Sequence, residues 1–261
     1  MKYCIGIDLH GTLLDNDWEI KPDIKNELIV ELERVSKFSS VYICTGNDLT
    51  FIHKHVPDDV RKLLAGYVLE TGCVVGDEKN ETIIIPEKNI EVVKKLREVL
   101  EQEFKGKTLY FGRRLITISM FTKDETGGED PEGLYLEVKS FVENSDFKDY
   151  VHVTHSNVAV DIIPVDFHKF TGLKYVAGSM KTIGIADSLN DKDLIINADF
   201  AFLPFNASPK LEIELKNYYK TVARLENFHS LSEQAVFQSS FENTRAVVDI
   251  LKHIKMLDVE C

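Results

Sequence analysis

Apolar and polar positions follow two rhythms along this chain, and the change between them marks its organisation. Near the N-terminus the short run Tyr3-Cys4-Ile5-Gly6-Ile7 ends in Asp8. Apolar runs of that length, rich in β-branched residues, predict buried strands. Val41-Tyr42-Ile43-Cys44, Tyr67-Val68-Leu69, Thr182-Ile183-Gly184-Ile185 and Phe200-Ala201-Phe202-Leu203 have the same character. Ile24, Leu28, Ile29, Leu32 and Val35 recur at helical spacing and predict a helix over 23–35, with Pro22 near its start. Val247, Val248, Ile250, Leu251 and Ile254 predict another over 242–254. Strands alternating with helices make a parallel α/β sheet the expected core.

The middle of the chain reads differently. After Gly76 the charged stretch Asp77-Glu78-Lys79-Asn80-Glu81 predicts a loop and a crossing between domains. A helix is expected over 90–104, where Ile90, Val93, Leu96, Val99 and Leu100 form one stripe. Strands at 108–111 and 115–118 should follow, then a polar loop over 123–130 and a helix opened by Pro131 and running to 142. Strands at 150–154 and 158–163 close the unit. An αββαββ order predicts an open antiparallel sheet with helices on one face. The fold class expected is therefore α/β, a Rossmann-like parallel-sheet core from 1–78 and 165–261, with an α+β domain inserted over 79–164. The segment 207–241 carries no functional pattern.

Charge narrows the partners. Lys and Arg total 31 against 43 Asp and Glu, a net charge of −12. That balance argues against nonspecific nucleic-acid binding, which needs a basic surface. It also repels phosphorylated substrates, so any phosphate site must reverse the sign locally. Cys4, Cys44, Cys73 and Cys261 show no metal-ligand spacing. Cys4 and Cys44, in predicted core strands, are expected to serve as small apolar fillers. There is no signal-peptide pattern and no run approaching the ~20 apolar residues of a membrane span. A soluble, cytoplasmic protein without a membrane partner is expected.

The candidate chemistry lies at the strand ends. Asp8 ends the first apolar run, and a Gly11-Thr12 turn follows. Open α/β sheets place their ligands at that edge. Thr45-Gly46-Asn47 follows the second run, Asp187-Ser188-Leu189-Asn190-Asp191 follows the run at 182–186, and Lys169 stands at the start of an expected helix. Carboxylate oxygens suit a hard divalent cation such as Mg²⁺. A hydroxyl, turn N–H groups and a lysine suit phosphate oxygens. Together these parts describe a metal-assisted phosphoryl-transfer site.

Four segments in order resemble the haloacid dehalogenase-like (HAD) superfamily of phosphohydrolases. Asp8-Leu9-His10-Gly11-Thr12 is similar to its first motif, DxDGT, with His10 as a departure. Thr45-Gly46 resembles the second motif, Lys169 the third, and Ala186-Asp187-Ser188-Leu189-Asn190-Asp191 the fourth. Glu70-Thr71-Gly72 and Asn206-Ala207 resemble segments of the subgroup that carries a large α/β cap between the second and third motifs. The resemblance implies a Mg²⁺-dependent phosphatase acting on a small phosphorylated metabolite, a sugar phosphate or phospho-acid, through an aspartyl-phosphate. It implies Asp8 as nucleophile and Asp8, Asp187 and the His10 carbonyl as metal ligands. Thr45, Gly46 and Lys169 would hold the phosphoryl oxygens, with Asn190 and Asp191 in support.

The slot held by His10 belongs to a proton-transferring aspartate in the family's phosphatases. Imidazole, with an unperturbed pKa near 6.5, can do that work. The alternative is an inert His10 in a weak or inactive protein that binds a phosphorylated ligand. For Asp191 the plain alternative is an acid favouring a helix N-terminus. Arg113 and Arg114 form a basic pair that could reach the substrate's distal group, with a solvated hairpin tip the favoured reading; His53 and His55 are expected on a helix surface. His152 and His155 are expected on opposite faces of one strand, which argues against a shared metal between them and favours exposed histidines near a strand end.

Overall fold

The parallel core follows from strands that are apolar on both faces and so need cover on both. The computed structural model describes residues 3–124, 127–156, 158–218, 220–227 and 235–254; Cys261 lies outside them. The chain forms two compact units, one of Met1–Glu81 with His168–Cys261 and one of Thr82–Phe167.

In the first unit, β1 (Tyr3–Asp8) is followed by α1 (Pro22–Val35) and β2 (Ser39–Cys44). The short helices α2 (Leu49–His55) and α3 (Asp58–Arg61) then lead to β3 (Gly66–Leu69) and β4 (Val74–Gly76). The segment 77–80 is a turn, and the chain passes into the second unit along β5 (Glu81–Ile83).

The second unit contains α4 (Glu87–Glu103), β6 (Tyr110–Phe111), β7 (Ile118–Phe121), the two-residue strands β8 (Lys123–Asp124) and β9 (Gly127–Gly128), α5 (Pro131–Glu143), β10 (Val151–His155) and β11 (Ala159–Pro164). Its four-stranded antiparallel sheet runs β10-β11-β7-β6. The expected polar loop at 123–130 instead begins as the antiparallel pair β8–β9; the tip at 125–126 lies outside the described residues. The strand expected at 115–118 also shifts, because Ile118 is the residue paired with Ile162, while Leu115 is 47% exposed.

The chain returns to the core with α6 (Lys169–Ala177), β12 (Lys181–Ile185), α7 (Lys192–Asn197) and β13 (Phe200–Leu203). Then come α8 (Pro209–Asn217), β14 (Thr221–Arg224), β15 (Ala235–Gln238) and α9 (Asn243–Ile254). The core sheet includes the order β14-β15-β13-β12-β1-β2-β3-β4. Every pairing from β14 to β3 is parallel, and β4 joins antiparallel. The segment 207–241 thus extends the sheet by two strands. The stripe of α1, with Ile24, Leu28, Leu32 and Val35 buried, packs beside α9, which buries Val247, Ile250, Leu251 and Ile254. Among the described residues no helix is long and apolar enough to cross a membrane.

Candidate active site

Two carboxylates meet because their strands are neighbours. Asp8 is the last residue of β1, 3% exposed, and β1 pairs in parallel with β12, after which Asp187 follows. The turn after Asp8 coils back on itself, with Leu13 N–H donating to the Asp8 carbonyl (3.2 Å) and Leu14 N–H to the Leu9 carbonyl (2.7 Å). Gly11 takes φ +74°, and a Cβ there would lie 2.5 Å from Asp187 Oδ2. Only glycine lets the turn pass so close to the carboxylate. Thr12 Oγ1 donates to Asp187 Oδ1 at 2.9 Å. Asn206 fastens the same turn: its Nδ2 donates to the Gly11 carbonyl (2.7 Å) and its Oδ1 accepts from Asn243 N–H (3.1 Å).

Lys169 brings a cation into this group. It is the first residue of α6, whose N-cap His168 accepts from Thr171 N–H through Nδ1 (3.2 Å). The Lys169 ammonium lies 2.5 Å from Asp8 Oδ1 and also pairs with Asp191 Oδ1. Asp191 Oδ2 accepts from Ser188 Oγ at 2.6 Å. Asp191 occupies the N-cap position of α7 yet makes no capping hydrogen bond. Asp191 thus stands at a helix start while its carboxylate pairs with Lys169. Asn190 is exposed on the same turn, outside the Lys169 pairings.

Thr45 and Gly46 follow β2, beside β1. Thr45 is 1% exposed; its N–H donates to the Val68 carbonyl (2.8 Å) and its carbonyl accepts from Thr71 N–H (3.0 Å). Its hydroxyl oxygen accepts from Asn47 N–H at 3.1 Å. Opposite it, Glu70 and Thr71 both adopt positive φ, +47° and +56°. The next residue, Gly72, has φ +91°, and a Cβ there would collide with the His168 carbonyl oxygen. The segment 70–72 therefore seats the start of α6, and with it Lys169. The clustering of strained backbone here fits a held site.

Oxygens of Asp8, Asp187 and Asp191 all lie within 4.8 Å of one another, the group among the described residues able to hold a metal ion. Three hard oxygen donors beside the Lys169 ammonium leave an excess of negative charge, which suits a divalent cation. The cluster shifts its own titration. Burial, then the Asp191 charge, push Asp8 well above the usual carboxylate range, with Lys169 opposing. Burial and Asp191 raise Asp187 to about 6. Burial opposes charge on Lys169, but Asp191 and Asp8 outweigh it and hold the ammonium protonated. Burial also raises the thiols of Cys44 and Cys4, the latter to about 12, so both stay neutral fillers.

His10, half-buried, stands two residues after Asp8 on the turn that follows β1. Its ring centroid is 4.9 Å from that of Phe51 and 5.8 Å from that of Trp18. His53 meets Glu78 at 3.3 Å on the surface of α2. His55 departs from the expected surface role, because its ring stacks on Phe51 at 4.2 Å. In the second unit Arg113 is exposed, whereas Arg114 Nε reaches Ser119 Oγ (3.5 Å), whose hydroxyl donates to the half-buried Asp161 (2.6 Å). Arg114 is thus part of a polar cluster rather than a solvated tip. His155 tilts against Tyr135 at 4.4 Å, and His152 is exposed.

Comparison with known proteins agrees with this architecture. A family model described as haloacid dehalogenase-like hydrolase matches residues 5–150. No curated protein matches the chain. Among solved structures, a haloacid dehalogenase-like hydrolase from Bacteroides thetaiotaomicron is 14% identical with a TM-score of 0.66, covering 97% of this chain and 100% of that one. The sucrose-phosphatase from Synechocystis, solved with sucrose and phosphate, is 16% identical with a TM-score of 0.62 over 97% and 98%. The C-terminal domain of trehalose-6-phosphate phosphatase from C. albicans is 17% identical with a TM-score of 0.61 over 98% and 92%. At these identities the likeness is one of fold, and the family rests on the model match. With that match spanning more than half its length, this chain belongs to the haloacid dehalogenase-like hydrolase family.

Proposed function

We propose that this protein is a phosphatase of small phosphorylated metabolites that works through an aspartyl-phosphate on Asp8. The observation that carries the reading is the Lys169 ammonium set between Asp8 and Asp191, with Asp187 in the same oxygen cluster. Asp8 attacks phosphorus in line, and the bond from phosphorus to the leaving oxygen breaks. His10 donates a proton to that oxygen. His10 then takes a proton from water as the water attacks phosphorus, which frees phosphate and restores the Asp8 carboxylate. Splitting the hydrolysis replaces one difficult step with two easier ones.

Thr45, the Gly46 N–H and Lys169 hold the phosphoryl oxygens, where charge spreads in the transition state. Asp191 orients Lys169 through their ion pair, and Asn190 supports the turn that carries it. Asp8, Asp187 and the His10 carbonyl, joined by Asp191, would hold Mg²⁺. When bound, it offsets the repulsion between the Asp8 carboxylate and the phosphate dianion. The raised Asp8 and Asp187 are in keeping with a site completed by a cation. Sugar phosphates and phospho-acids are the first substrates to try.

The test is hydrolysis of an aryl phosphate with and without Mg²⁺, followed by a screen of phosphorylated metabolites. Turnover should require Mg²⁺ and vanish in Asp8→Asn, which keeps the shape but not the charge. Full activity in that variant, or in chelator, would remove the mechanism. A wild type that binds phosphorylated metabolites without turning them over would instead make it a binding protein.

A further inference from the structure

The loop after the first motif is built more firmly than a connection needs. Asp15 Oδ1 accepts from the N–H groups of Asp17 (2.9 Å) and Glu19 (3.1 Å). Asp15 N–H donates to the Glu19 carbonyl (3.1 Å), and Trp18 N–H to the Asp15 carbonyl (3.0 Å). The Lys21 ammonium ties Asp15 (2.9 Å) and Asp17 (2.8 Å) together from the side. This frame holds Trp18 at φ +63°, a conformation that L side chains rarely adopt. Strain of this kind persists where the surroundings over-determine it, and it concentrates at functional sites.

The strained residue presents its indole to His10, with centroids 5.8 Å apart and planes at 76°. Next to the indole lies Phe51 of α2, tilted at 56° to the imidazole with centroids 4.9 Å apart. Phe51 is set by its own cap, since its N–H donates to Asp48 Oδ1 at 2.9 Å. The two rings also meet each other at 5.6 Å, and His55 closes the group against both, at 4.2 Å from Phe51 and 5.5 Å from Trp18. Aromatic contacts have preferred geometries, so a ring held by two neighbours that also hold each other loses rotational freedom about its side-chain torsions.

We infer that Trp18 and Phe51 are positioning residues, which lock the His10 imidazole in the orientation from which it transfers protons. The inference rests on the acid–base role proposed for His10. It also accounts for how an imidazole serves in a slot that takes an aspartate elsewhere in the family. Contact with two rings that pack on each other fixes the plane of the imidazole, and with it the reacting nitrogen. Neither Trp18 nor Phe51 touches the reacting atoms in this scheme; both act through His10.

The test is a kinetic cycle at saturating Mg²⁺ with an aryl phosphate. Trp18→Leu and Phe51→Leu should each lower kcat by about 10- to 10²-fold with KM little changed, as misplacement of a reacting group does. Trp18→Phe and Phe51→Tyr, which keep a ring in place, should restore most of the rate. In a His10→Ala background the two leucine substitutions should cost nothing more, since groups acting as one unit are not additive. Leucine variants as fast as wild type, or losses that add fully to that of His10→Ala, would overturn the inference. If His10→Ala alone is as fast as wild type, the acid–base reading of His10 is what fails. A proton NMR measurement at one fixed pH guards against misfolding. The His10 ring protons should be ring-current shifted in wild type and in Trp18→Phe, and should move in folded Trp18→Leu; no movement would overturn the inference.

Discussion

Replacing Lys169 by methionine tests the electrostatic logic of the site apart from turnover. The Lys169 side chain is 10% exposed, and its ammonium sits between the carboxylates of Asp8 and Asp191, whose side chains are 5% and 1% exposed. Methionine fills similar volume but leaves two buried carboxylates facing each other without a cation. Breaking a buried pair in this way costs about 3–5 kcal/mol. A ceiling exists, because a carboxylate can escape by taking a proton. Holding one neutral at pH 7 against an unfolded pKa of about 3.9 costs roughly 4 kcal/mol. At about 2–4 °C per kcal/mol for a unit of this size, Tm should fall by roughly 6–20 °C.

The sign of the pH dependence follows from the same escape. In the variant the carboxylates protonate more readily folded than unfolded, so the folded state binds more protons and stability falls as pH rises. The deficit should therefore be largest near pH 7 and shrink towards pH 5, by about 1.4 kcal/mol per pH unit for each group held neutral. The assay is urea and thermal unfolding of metal-free wild type, Lys169→Met, Asp8→Asn and the double variant at pH 5 and 7. Asp8→Asn should recover much of the loss in the double variant, as coupled partners do. A Lys169→Met protein within about 1 kcal/mol of wild type at pH 7 would refute the argument, against the usual cost of a broken buried pair. So would a deficit equal at both pH values.

Other expectations follow from the same geometry. With Asp187 raised to about 6, its contribution to metal-free stability should fall by roughly 2 kcal/mol between pH 4 and 7. That component should vanish in Asp187→Asn, and Mg²⁺ should raise Tm more at pH 7.5 than at pH 5; the reverse ordering would count against a cation on this carboxylate. Gly11→Ala, strained at φ +74° and pressed on Asp187, should weaken Mg²⁺ binding at a stability cost of only about 1–2 kcal/mol; unchanged metal titration would dismiss the contact. Gly72→Ala should cost upwards of about 2 kcal/mol by pushing the His168 carbonyl and the start of α6 aside; a variant with wild-type urea unfolding would show that the segment is not seated there.

Much of the scaffold was legible because its causes are local. The stripe of α1 and the run of β1 are readable from residue spacing alone, and so is Asp8 at the rim of a strand. The second unit was legible in order but not in register. Leu109 and Leu115 look like strand residues, yet both are more than 45% exposed, and pairing with β11 places the strand later, at Ile118–Phe121. The segment after residue 207 gave no reading, since its short strands gain meaning only beside β13.

The chemistry divides in the same way. Composition and spacing specify that carboxylates, a hydroxyl and a lysine stand at element ends, because a strand end or a helix start is encoded within a few residues. What each one faces depends on contacts between segments distant in the chain. Asp191 has the local setting of a helix cap, and its carboxylate turns to Lys169 because α6 delivers an ammonium there. The same holds for His10, where no pattern within its own turn foretells the rings of Trp18 and Phe51. Backbone conformation is settled by neighbours in sequence, whereas the partner of a charge or a ring is whichever group packing brings within a few ångströms, and that is a property of the folded chain.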